Sequence, residues 1–202
     1  LSIITRSRKR LNLKLQKQLA PYEFSIITNT CVGGVFLHDA NKRFNSPTVN
    51  LAIDGEGFMH LLENLDLLKE GVFEKKGFDQ EGHPFALLDG APIHFVHYKT
   101  YEDGVTKWKS RAERILSDHI YIMATPHNGF ERADLMERFN KLPYKKVMYT
   151  WGKWDYPWAY QVTRAHGVWR PFTEVASLSG KRFYETAFDI ASWIEENEKK
   201  LK

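Results

Sequence analysis

The sequence predicts an α/β fold, a three-layer α/β/α arrangement around a mixed sheet. Two observations carry this. Runs rich in β-branched and aromatic residues alternate with stretches of helical period, most plainly over Ile120–Ala124, Phe130–Phe139 and Lys146–Trp151, and such a strand–helix–strand rhythm argues for parallel pairs. A block of short strands interrupts it mid-chain, and the Asp89-Gly90 dipeptide inside that block is a hairpin turn signal. With 202 residues, 43% of them hydrophobic, the chain can bury one good core, so residues 1–202 read as a single domain.

Taken in order, residues 6–19 read as a helix stopped by Pro21, with Leu11, Leu15 and Leu19 on one face, and 23–28 as the first strand. Gly33-Gly34 opens a short helix through His38, and Pro47 breaks the chain before a strand at Thr48–Ile53. Asp54 reads as the N-cap of an amphipathic helix whose face carries Phe58, Leu61, Leu62, Leu65 and Leu68. Strands follow at Val72–Lys76, Phe85–Asp89 and Pro92–Tyr98, then a helix over Tyr101–Ser117, and the chain closes with a helix from Arg182 to Lys199. The segment 149–172 holds four of the six tryptophans, a density that suits packing, a subunit contact in a homo-oligomer, or stacking on sugar rings.

Composition narrows the function. The net charge of +4 comes from scattered residues, with one compact basic cluster at Arg6–Arg10, so no nucleic-acid partner is expected. A lone cysteine rules out an intrachain disulfide and a multi-thiolate metal site, which fits a reducing cytoplasm. No metal site and no cofactor are expected from the motifs. No transmembrane segment or signal-peptide core is expected; the basic N-terminal helix could touch a membrane surface, although packing of its leucines on the domain is the favoured reading.

The candidate site follows from position. Asn29, Cys31, Gly33 and Gly34 fall where the first strand gives way to a helix, at the carboxyl end of a strand and the positive end of a helix. Cys31 is the candidate nucleophile, and His38, His94 and His97 are the candidate bases. The plainer expectation for Cys31 is a thiol packed with Ile26 and Val35. His94 and His97 should lie on opposite faces of a regular strand and so should not share a site unless the strand ends between them. Asn29 and Asn50 are candidate ligand-binding amides, and Arg111 and Arg114 candidate phosphate partners, with a solvated helix face as their simpler reading.

Five motifs in order resemble a known family: Asn29-x-Cys31-x-Gly33-Gly34 with His38-Asp39; Phe44-x-Ser46-Pro47-Thr48-x-Asn50-Leu51; Ile93-His94-Phe95-x-His97-Tyr98; Trp108-x-x-Arg111-x-x-Arg114-Ile115; and Leu142-Pro143-Tyr144. The family is an uncharacterised bacterial one often labelled exopolysaccharide biosynthesis protein. Where it has an acidic residue before Gly129, this chain has Asn128. The resemblance implies an α/β cytosolic protein acting in exopolysaccharide or capsule synthesis on a carbohydrate or sugar-phosphate substrate. A glycosyl- or acyltransferase is the expected activity, and a non-catalytic glycan-binding or assembly factor using segment 149–172 is the alternative.

Overall fold

The computed structural model describes residues 2–162, 172–176 and 178–201. Four parallel strands form one sheet in the order β1 (Ser25–Thr28), β6 (Ile120–Ala124), β7 (Lys145–Thr150), β8 (Ala159–Gln161). Four antiparallel strands form a second, in the order β2 (Ala52–Ile53), β5 (Ala91–His94), β4 (Pro84–Leu88), β3 (Phe73–Phe78). The α/β class expected from the sequence holds, and the parallel and antiparallel pairings are divided between two sheets.

The parallel sheet is covered on both faces, and its alternating side chains feed two separate cores. Ile26, Tyr121, Met123, Val147 and Tyr149 point toward α1 (Ile3–Leu19), α2 (Val32–Asp39) and α8 (Ile190–Lys199). Ile27, Ile122, Ala124 and Met148 point the other way, onto α3 (Gly55–Glu63), α6 (Ala133–Lys141) and the inner face of the antiparallel sheet, with Trp108 of α5 (Tyr101–Ala112) in the same core. Leu15 and Leu19 of α1 are buried in the first core, so the leucine stripe packs on the body of the protein as expected.

Local chemistry sets the element ends. Asp54 caps α3, accepting the Gly57 N–H at 2.6 Å. Asp89 and Gly90 both take positive φ, 46° and 91°, the backbone that a tight hairpin requires. The strand expected over 48–53 shrinks to Ala52–Ile53, because Asn50 adopts φ 62° and breaks the extended run. The amphipathic helix ends at Glu63, and Leu68 belongs to a separate turn of helix, α4 (Leu67–Glu70). The final helix is also two: α7 (Phe183–Ala187) and α8, which restarts where Asp189 accepts the Ser192 N–H at 3.1 Å.

The sheets meet at the carboxyl end of β1. Ile53 donates its N–H to the Asn29 carbonyl at 3.1 Å, and Gly55 donates to the Asn128 carbonyl at 2.9 Å. A strand of the second sheet is thereby tied to the two loops that leave β1 and β6.

A candidate active site at the seam of the two sheets

Asn29 follows β1 and is fully buried. Its Oδ1 accepts the Thr125 N–H at 3.0 Å and the Thr125 hydroxyl at 3.1 Å, and its Nδ2 donates to the Thr125 carbonyl at 3.0 Å. The amide thus continues the β1–β6 pairing one residue past the strands, and Asn29 positions the loops. Beyond it, Thr30 Oγ1 lies 3.3 Å from Thr125 Oγ1, which lies 3.1 Å from His127 Nδ1. Since Thr125 donates to Asn29, His127 donates Nδ1–H to Thr125 and keeps Nε2 as an acceptor. Burial lowers the pKa of His127, which favours its neutral form.

Cys31 is the N-cap of α2 and is half-buried, with Sγ 3.2 Å from His97 Nε2. Burial pushes the thiol pKa up, so the resting sulfur is a thiol rather than a thiolate. The first helical hydrogen bond of α2 runs from Val35 N–H to the Cys31 carbonyl at 3.0 Å, so the N–H groups of Val32, Gly33 and Gly34 precede the helical ladder beside the sulfur. Both glycines are also required by packing. A Cβ on Gly33 would come within 2.8 Å of Thr28 Cγ2, and one on Gly34 within 2.8 Å of Val49 Cγ1.

The structure separates the two candidate histidines because β5 ends between them. β5 stops at His94, and the turn closed by Tyr98 N–H to the Phe95 carbonyl at 2.9 Å reverses the chain and carries His97 to the start of α2. His94 stays on the antiparallel sheet, with Nδ1 2.7 Å from Asp79 Oδ2. His38 is exposed, its Nδ1 3.8 Å from Asp39. Of the three suggested bases, His97 meets the thiol.

Arg111 and Arg114 both bind backbone carbonyls of the segment before β2. Arg111 donates to the Val49 carbonyl at 2.9 Å, with its guanidinium 5.2 Å from the Phe44 ring centre. Arg114 uses Nε and Nη2 on the Phe44 carbonyl at 3.2 and 3.0 Å, and Nη1 on the Ser110 carbonyl and hydroxyl at 2.6 and 3.1 Å. Together they pin residues 44–50 against the outer edge of β1, where the Thr48 hydroxyl accepts the Thr28 N–H at 3.0 Å. Asn50 sits at the left-handed turn of that segment, its side chain over Gly34.

Sequence reasoning missed Thr125, His127 and Glu131. The run Thr125-Pro-His-Asn-Gly129 has the same character as Asn29–Gly34, a turn leaving a parallel strand, and the same strand-end rule finds it. Glu131 holds the aromatic segment: its carboxylate accepts the Trp151 N–H at 2.8 Å, the Gly152 N–H at 2.7 Å and the Trp154 indole N–H at 2.8 Å. Trp151 and Phe172 lie 5.8 and 5.2 Å from the His127 ring and wall the site on that side. Trp154, Tyr156 and Trp158 stack in series at 6.5 and 4.6 Å, and Trp158 packs on Phe139 of α6. None of the five described tryptophans is exposed, an arrangement that matches packing; Trp169, also in that segment, lies outside the described residues.

Among the described residues, no three His, Cys, Asp or Glu side chains gather so as to hold a metal ion, and no helix is long and apolar enough to cross a membrane.

The profile of a family described as "Domain of unknown function (DUF1919)" matches residues 3–195. The chain belongs to the DUF1919 family. The match runs from α1 into α8, so both sheets and both partners of the Cys31–His97 pair lie within the DUF1919 region. A protein of Haemophilus influenzae, "Uncharacterized protein", is similar along nearly its whole length: 31% identical over 196 residues, which is 94% of this chain and 92% of the relative.

Proposed function

We propose that this protein is an acyltransferase of bacterial exopolysaccharide or capsule assembly, working in the cytoplasm through a covalent intermediate on Cys31. The observation that carries the chemistry is the 3.2 Å approach of Cys31 Sγ to His97 Nε2 beside the free-standing N–H groups of the first turn of α2. A thiol next to an imidazole is a nucleophile with its base, and backbone N–H groups at a helix start can hold the oxyanion that forms on attack. Glycosyl transfer through paired carboxylates is the poorer fit, since thiol, imidazoles and hydroxyls gather here. The resemblance of five motifs to the exopolysaccharide-labelled family is what supports a carbohydrate acceptor.

The chemistry has two halves. As Sγ attacks the carbonyl carbon of an acyl donor, its proton passes to His97 Nε2, and the S–C bond forms. The bond to the leaving group breaks, and that group takes the proton from His97. A hydroxyl of the sugar then attacks the thioester, His97 accepts its proton, and the thiolate leaves and is reprotonated. The protein's own groups provide nucleophile, base and oxyanion donors, and the net change is one acyl group moved from donor to hydroxyl.

The test uses para-nitrophenyl acetate as the acyl donor. Intact mass should show one acetyl group on the folded protein, mapped to the Cys31 peptide, while Cys31→Ala stays unmodified. His97→Ala should slow acetylation about 100-fold. Acetylation elsewhere with Cys31 untouched, or the same rate without His97, would refute the assignment.

A further inference from the structure

The outer face of the antiparallel sheet carries a second constellation that the Cys31 chemistry does not use. Register places Ala52, His94 and Phe85 side by side across β2, β5 and β4, on the face opposite buried Ile53, Ile93 and Ala86. The turn that follows β3 lies beside this row and bounds an open cavity of about 580 Å³, which Asn128 also lines. Small-molecule sites span roughly 300–1,000 Å³.

Asp79 organises the cavity. Its Oδ1 accepts the N–H groups of Glu81 and His83 at 2.9 and 2.8 Å, which shapes the turn, and its Oδ2 lies 2.7 Å from His94 Nδ1 and 3.3 Å from His83 Nδ1. Burial alone would raise its pKa, but these hydrogen bonds outweigh it and hold the carboxyl at about 2. An ionised carboxylate only accepts, so His94 donates its Nδ1 proton to Asp79, and the neutral ring in that tautomer turns a lone pair outward on Nε2. That nitrogen makes no hydrogen bond to any described residue. The His94 ring lies 4.8 Å from Phe85, tilted by 33°.

The lining selects a ligand. It offers hydrogen-bonding groups on His94, Asn128 and Gln80 and apolar faces on Phe85 and Phe78, the latter 67% exposed at the rim, and it includes no lysine or arginine. Without a cation, phosphates and carboxylates are poorly met. Of the three carboxylates in the lining, Asp79 is saturated by its own donors, Asp54 accepts the Gly57 N–H as the cap of α3, and Glu81 is solvent-exposed 3.7 Å from His83, so none is a buried, unpartnered seat for an ammonium group. A ring with hydroxyls on its edge and C–H bonds on its face matches both kinds of surface.

We infer that this cavity binds an uncharged saccharide of one or two rings, with His94 Nε2 accepting a hydroxyl proton in a hydrogen bond, Phe85 and Phe78 forming the platform, and Asp79 as the positioning residue that fixes the imidazole tautomer. The inference stands on this cavity alone and does not require acylation of Cys31.

The experiment follows histidine and phenylalanine ring signals by NMR during titration with glucose, N-acetylglucosamine and lactose, with glucose phosphate, glucuronate and choline as charged counterparts. The neutral sugars should shift the His94 and Phe85 signals, with the charged probes at least about ten-fold weaker. Phe78→Ala, at an exposed ring, should weaken binding about ten-fold without lowering the melting temperature. His94→Gln should weaken it further, and Cys31→Ser should leave it unchanged, which separates failure here from failure of the acylation reading. Nitrogen shifts should place the proton of His94 on Nδ1, and Asp79→Asn should change that tautomer. Neutral sugars that leave both rings unmoved, a charged probe that binds as well, or an unaltered affinity in Phe78→Ala would each overturn the assignment.

Discussion

At the scale of single residues, the thiol of Cys31 ties structure to pH. Burial raises its pKa above the ordinary thiol value. A group whose folded pKa lies above its unfolded value contributes stability that is complete below the unfolded pKa and is lost as pH rises through the folded one. Wild-type protein should therefore lose more thermal stability between about pH 8 and pH 10 than Cys31→Ala does, and its alkylation by iodoacetamide should be slower at neutral pH than that of a free thiol. A pH-independent difference between the two melting temperatures, or faster alkylation than a free thiol, would contradict this. The position of Cys31 at a strand end was legible in the sequence because strand-to-helix turns announce themselves locally. Its partner was not. Choosing His97 over His94 depends on where β5 stops, and that is decided by pairing with β2 and β4. The protein partners of the arginines were illegible for a related cause: the carbonyls of Phe44 and Val49 that they bind are 70 and 62 residues away in sequence.

At the scale of elements, the caps and turns were the most readable features, since Asp54 and Asp89-Gly90 act on neighbours within a few residues. The division into two sheets, the short strand β8 and the break before α8 answer to distant contacts and escaped local reading. The β3–β4 turn illustrates what one side chain can hold together. Asp79 has its pKa lowered to about 2, against a usual value of 3.8, because the hydrogen bonds from His94, His83 and the turn backbone outweigh the cost of burial. A depressed folded pKa contributes stability that is present above the unfolded value and lost as pH falls through the folded one. Asp79→Asn should therefore be less stable than wild type at neutral pH, and the gap between their melting temperatures should close as pH falls from about 4 to about 2. A gap that persists at the acid end would show that the carboxylate charge is not what stabilises the turn.

At the scale of the whole molecule, a buried ionic cluster joins α1 and the end of α2 to the residues around the start of α7. Asp39, at the end of α2 and only 2% exposed, accepts from Arg182 Nε at 2.6 Å and from Asn12 at 3.1 Å, and lies 3.3 Å from Arg8 Nη2. Arg8 in turn binds the Glu185 carboxylate and the Gly180 carbonyl. Removing one member of such a set strands the others without partners, so Asp39→Ala should cost about 3 to 5 kcal/mol in chemical denaturation. A loss below about 1 kcal/mol, the scale of an exposed pair, would mean that water replaces the carboxylate freely. Of the adjacent His38 and Asp39, Asp39 serves this clamp while the His38 side chain is exposed.

The seam between the sheets has a mechanical side. The thiol is delivered by the parallel sheet and the imidazole by a turn of the antiparallel one, and the backbone ties at Asn29 and Asn128 set the gap between them. The pair is a calliper. A slip of the two sheets by one ångström would carry a 3.2 Å approach beyond hydrogen-bond reach and leave the nucleophile without its base. Whatever wedges or clamps the jaws, even a ligand that never touches the sulfur, would then act as a throttle on its reactivity, and the chain's sole thiol would report that motion as a change in its rate of labelling.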